Sequence, residues 1–137
     1  MLVYNAILMI FIQLNGWELL STTQWGQKYD DLLMLNTDAP VFSDHLLRQE
    51  GQKITLEGFV IPLEAGKDQR FFVLSRFPYQ SCFFCGAAGP ETVAEIYPTV
   101  PVSDLEPDQQ VIVTGILTLN QDDPLHLSFL VKEAVVR

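Results

Sequence analysis

From Lys53 onward the chain alternates between apolar and polar positions. In "KITLEGFVIPL" Ile54 and Leu56 fall on one face, and Gly58 interrupts the alternation where a bulge or sharp bend fits. "QRFFVLSRF" is aromatic and β-branched and ends at Pro78, and "TVAEIYPTV" is stopped by Pro98 and Pro101. "VSDLEPDQQ" is polar and reads as a turn or a single helical turn. "QVIVTGILTLN" then places Val111, Val113, Leu117 and Leu119 on one face around Gly115. After the turn chemistry of "NQDDP", "LHLSFLVKEAVV" puts Leu125, Leu127, Phe129 and Val131 on a common face. Side chains in a strand alternate between its two faces, so each run predicts a strand with one buried side. Five strands within about 85 residues, two of them carrying a central glycine, predict a closed barrel, because closure removes edges that would pair with other chains. The fold expected is mainly β, a small five-stranded OB-like barrel over residues 53–137.

The preceding stretch lacks this regularity. Over residues 17–52 Trp17, Leu20, Trp25, Tyr29 and the run Leu32 to Leu35 are anchors at irregular spacing, with turn formers "NTDAP" at 36–40. Ser43 and Asp44 can cap a short helix in "DHLLRQEG" that stops at Gly51. This predicts an N-terminal arm with short helical segments, packed on the barrel. Residues 1–16, "MLVYNAILMIFIQLNG", contain an unbroken apolar run from Ile7 to Ile12, yet fall short of the ~20 residues that span a bilayer. They resemble the hydrophobic region of a signal peptide, with no Lys or Arg ahead and no Ala-x-Ala-like cleavage site behind. Two readings follow: a leader, the remnant of a signal peptide, or a buried N-terminal strand or helix. The leader reading places the protein in the periplasm or otherwise outside the cytoplasm, with peripheral membrane association through this segment. The other leaves it cytoplasmic.

Charge narrows the partners. Eight basic residues stand against 17 acidic ones, a net charge of −9, and the basic residues are scattered. Nucleic-acid binding draws its affinity from Lys and Arg neutralising phosphates, so no nucleic-acid partner is expected. With 48% hydrophobic and 18% charged residues, the chain has the composition of an ordinary globular domain.

The chemistry concentrates in "SCFFCGAAGPE", residues 81–91, which holds both cysteines. Haem attachment needs a histidine after the second cysteine, and residue 86 is glycine. A thioredoxin-like pair needs its first cysteine at a helix N-terminus, which Pro78, Gly86, Gly89 and Pro90 disfavour here. A metal knuckle fits the spacing: two sulfurs reach one ion from a tight turn whose glycine takes a positive φ. Cys82 and Cys85 are then ligands for a soft metal, zinc, iron or copper(I), but make only half a zinc site. Glu91, His126, His45, water or a second chain would complete it, and a homodimer follows if two cysteine pairs share one metal. A local disulfide or two buried thiols remain open as well. For the other candidates the bland readings lead. His126, between Leu125 and Leu127, turns outward from a strand, and His45 and Glu91 serve local structure. No nucleophile–base pair or nucleotide-binding loop is present, so no enzyme is expected.

The blocks "GFVIPLE", "FVLSRFPYQSCFFCGAAGPETVAEI" and "VTGILTLN" resemble, in that order, a family of uncharacterised bacterial exported proteins, a DUF3299-like domain common in Bacteroidetes. The resemblance runs over residues 17–137, and C-F-F-C-G-x-x-G-P-E is its most specific part. It implies an OB-like fold, export, and an accessory role beside envelope transport systems, some linked to metal uptake. The family carries no established activity. The function expected is a non-catalytic exported binding module whose CxxC turn binds a soft metal. The alternatives are a thiol–disulfide redox protein or sensor, and a structural protein-interaction domain.

Overall fold

The computed structural model describes residues 15–63 and 70–137, so the leader reading falls almost wholly outside the described residues. Strands β3 (Lys53–Ile61), β4 (Phe72–Ser75), β5 (Val93–Pro98), β6 (Gln110–Leu119) and β7 (Phe129–Val136) close into a barrel in the order β3-β4-β5-β7-β6. Every neighbouring pair is antiparallel except β5 and β7. This is the expected OB-like barrel. Alternation does the work predicted of it. Ile54, Leu56, Gly58 and Val60 of β3 face inward between exposed or half-buried neighbours, and Val111, Val113, Gly115 and Leu117 do so in β6.

The two central glycines differ in purpose. Gly115 sits where the β6–β7 register shifts: it alone stands opposite Glu133 and Ala134, so the bulge lies on β7, and a Cβ at Gly115 would press on the Lys132 carbonyl. At Gly58 the β3–β6 ladder runs through without a shift, against the expected bulge. Its missing side chain instead makes room for the Ser75 backbone, which a Cβ would meet head-on.

β7 starts later than the alternation suggests. Residues 120–128 form a loop gathered around the Asn120 side chain. The Asn120 amide donates to the carbonyls of Asp123 (2.7 Å), His126 (3.2 Å) and Leu127 (3.1 Å) and accepts from Asp123 N (2.9 Å). Leu125 is accordingly 67% exposed instead of inward.

The arm is built of helix, hairpin and helix. Helix α1 (Gly16–Leu20) opens on a capping box between Asn15 and Glu18, and α2 (Asp44–Gln49) is capped by Ser43 as expected. Between them β1 (Gln24–Asp30) and β2 (Leu35–Val41) pair only with each other. The "NTDAP" segment is therefore strand, not turn. The turn lies at 31–34, where Asp30 Oδ1 accepts from Leu32 N and Leu33 N, both at 2.9 Å. Trp17, Leu19, Leu20, Phe42 and Leu46 of the arm join Leu56, Phe72, Ile96, Val113 and Phe129 of the barrel in one core. Arm and barrel thus bury a common interior.

Leu20→Ala, at a site with no exposure, should cost about 2–5 kcal/mol in urea unfolding. Leu32→Ala, at the exposed hairpin tip, should stay within about 0.5 kcal/mol of wild type. Equal losses would mean that the arm is not part of the core.

Candidate functional site

Between β4 and β5 the chain makes three single turns, Tyr79–Ser81, Phe83–Cys85 and Pro90–Thr92, too short to supply a helix dipole. Pro78 and the absence of apolar alternation keep this segment out of the sheet, and Asp108 anchors it by accepting from Tyr79 N at 2.8 Å. The Cys82 carbonyl accepts from both Cys85 N (3.2 Å) and Ala87 N (3.3 Å), which folds the pair into one loop. Gly86 closes it at φ 75, the positive value expected of the glycine in C-x-x-C-G.

The two thiols are unbridged and unlike each other. Cys82 has no exposure, whereas Cys85 is exposed and its Sγ donates to the Tyr79 carbonyl at 2.9 Å. Cys82 is buried without joining the barrel's core. Desolvation and then the neighbouring Cys82 sulfur push the Cys85 thiol up, outweighing the opposite pull of Tyr79. A thiolate is therefore not favoured on the exposed sulfur.

The other candidate ligands lie elsewhere. The Glu91 carboxylate folds back over Gly89, into the space a Cβ there would take. His45 is exposed on α2. His126 is not the outward strand histidine of the alternation argument, because the loop held by Asn120 carries it to β5. Its Nδ1 lies 3.0 Å from the Glu95 carboxylate. Among the described residues no three His, Cys, Asp or Glu side chains converge as a metal-binding group. Cys82 and Cys85 remain a pair.

Glu95 escaped the sequence argument. It sits in β5 between Ala94 and Ile96, both in the core, so alternation turns it away from the barrel axis. It is only 5% exposed and is satisfied by three donors: Leu127 N (2.8 Å), Tyr97 OH (2.6 Å) and His126. A carboxylate only accepts, so His126 carries its proton on Nδ1 and leaves Nε2 uncommitted by this contact. Tyr97 also stacks on Phe71, with ring centroids 5.2 Å apart and planes 8° from parallel. Hydrogen bonding and charge from Glu95 raise the His126 pKa, and desolvation followed by Glu95 raises that of Tyr97. The only signal in the sequence was a lone acid in the apolar run "VAEIY".

Two measurements check this geometry. Native protein should take up alkylating reagent at Cys85 and not at Cys82, with a rate that climbs only above the ordinary thiol range near ~8.5. Rapid alkylation of both at neutral pH would contradict the burial and the raised thiol. For His126, a folded-state pKa above the unfolded one means stabilisation that is full below the ordinary ~6.5 and fades as pH rises through the folded value. His126→Gln should therefore lose more stability relative to wild type at about pH 5 than at about pH 8, and less in high salt. A loss independent of pH would show that the Glu95 contact does not involve the imidazolium.

Compared with protein-family models, curated proteins and solved structures, the chain matches none.

Proposed function

We propose that this protein is a non-catalytic binding module whose CxxC turn takes a soft, thiophilic metal ion, in the service of metal handling or transport at the bacterial envelope. The observation that carries the reading is the pair of unbridged thiols on one short loop closed by left-handed Gly86. Export and the envelope setting rest on the hydrophobic N-terminal segment and on the resemblance to DUF3299-like exported proteins.

The donor set bears on the ion. Two thiolates satisfy a two-coordinate ion such as copper(I) outright. They supply half of zinc's tetrahedron, so zinc calls for the cysteine pair of a second copy. The proposal thus ties metal identity to oligomeric state. Cys85 is the entry point, being the exposed sulfur, and must release the Tyr79 carbonyl to bind. The second reading is thiol–disulfide exchange, which the adjacency of two free thiols also supports. Against it stands the absence, at this turn, of a helix N-terminus to hold a thiolate.

Anaerobically purified protein should bind about one copper(I) per chain as a monomer, or about one zinc per two chains as a dimer. The readout is metal analysis with sedimentation in parallel. Cys82→Ser and Cys85→Ser should each abolish binding. Unchanged stoichiometry in the double serine variant ends the metal reading, and a reversible two-electron disulfide couple without metal uptake would put the redox reading in its place.

A further inference from the structure

The β1–β2 hairpin ends in an apolar cap. Tyr29, Leu32, Leu33, Met34 and Leu35 are all exposed there, Leu32 at 68% and Met34 at 72%. None of these side chains belongs to the common core. Just behind the cap the ribbon turns polar, with Gln27 and Lys28 exposed on β1 and Asn36 and Asp38 exposed on β2.

Met34 sets the cap apart from scattered surface apolar residues. Its φ is 56, in the left-handed region where hairpin loops ordinarily place Gly or Asn. A small polar residue would be less strained here and better solvated. The chain instead holds a long apolar side chain in water.

The pairing register decides what covers such a cap. Residues directly opposite each other in a ribbon share a face, and successive residues alternate between faces. Tyr29 pairs with Asn36 and Asp30 with Leu35, so Tyr29 and Leu35 lie on opposite faces. Leu32, Leu33 and Met34 fill the turn between them. The apolar surface therefore wraps the tip from one face to the other. A groove on a folded protein, or the flat face of a second copy, covers one side of a ribbon. Fluid hydrocarbon surrounds all of it.

The backbone of the tip is also suited to leaving water. Asp30 Oδ1 accepts from Leu32 N and Leu33 N, so these two amides keep their partner when the cap is withdrawn from solvent. The Tyr29 hydroxyl donates to Met34 Sδ at 3.9 Å.

We propose that the hairpin tip is a lipid-contacting element, which dips Leu32, Leu33, Met34 and Leu35 into the acyl boundary of a bilayer surface with Tyr29 at the headgroups. Asp30 and Asp31 keep the insertion shallow and give it no attraction to anionic lipid. One cap of this size holds a membrane weakly and reversibly. The assignment stands apart from the metal reading, since none of these residues lies in the cysteine turn.

The full chain also carries the apolar run Ile7 to Ile12, so variants confined to the tip isolate its share. The test floats the full chain with phosphatidylcholine vesicles, alone and with phosphatidylglycerol added. Wild type should bind both, and the anionic vesicles no more tightly. Leu32→Ser with Met34→Ser, both at exposed sites, should fold normally and lower the partition coefficient about tenfold. Leu47→Ser, exposed on α2, should leave it within about twofold. Leu32→Trp should be quenched by phosphatidylcholine brominated on its acyl chains, beyond any quenching of wild type. Wild type that ignores phosphatidylcholine, a partition coefficient unchanged in the double serine variant, or an unquenched indole at position 32 would each overturn the proposal. A dimer seen by sedimentation without vesicles, and split by the double serine variant, would assign the cap to a second copy and overturn the lipid assignment.

Discussion

The indole N–H of Trp17 donates to the Glu57 carbonyl at 2.7 Å, and through it the arm is fixed on the first barrel strand. A small barrel closes its hydrogen-bonding edges, but five short strands enclose little apolar volume. The arm makes up the deficit. Gly16 lets α1 approach Leu56 and Thr55 so closely that a Cβ would collide with both, and Leu19 and Leu20 follow into the core. Phe42 then reaches Phe129 at 6.0 Å, and Trp25 meets the same ring edge-on at 6.3 Å. Arm and barrel are held to one another through this docking.

Most of the barrel was legible because its strands have one wet face and one dry face. β3 and β6 carry that difference residue by residue. The β1–β2 hairpin was illegible for the opposite reason: most positions on both strands are exposed, so no period of two is imposed on the sequence. Asp38 and Pro40 look like turn residues, yet they sit comfortably in a strand with one neighbour, where a proline's missing N–H breaks no second ladder. The start of β7 was misplaced because alternation in "LHLSF" continues through residues whose backbone is captured by Asn120.

The candidate sites divide in the same way. Spacing alone revealed the cysteine pair and its glycine, since a tight turn is a local matter. The contrast between buried Cys82 and exposed Cys85 depends on what the turn packs against, and no local pattern encodes it. Glu95 depends on even longer reach. Its partners His126 and Leu127 lie 31 and 32 residues away and come to it only because β7 runs beside β5. An acid placed so is a structural clasp between a strand and a loop.

The parallel β5–β7 pair has a consequence for how the chain acquires its shape during synthesis. Antiparallel neighbours such as β3 and β4 can meet soon after they are made, but the last strand must complete two seams at once, one to β5 and one to β6. Until β7 is in place, the barrel is an open sheet. The arm, which precedes the barrel in the chain, meanwhile holds its Trp17, Leu19 and Leu20 against an unfinished interior. Closure of this domain therefore waits for β7, is slowed by distant pairings, and leaves apolar segments exposed meanwhile to aggregation and to proteases and chaperones that recognise them.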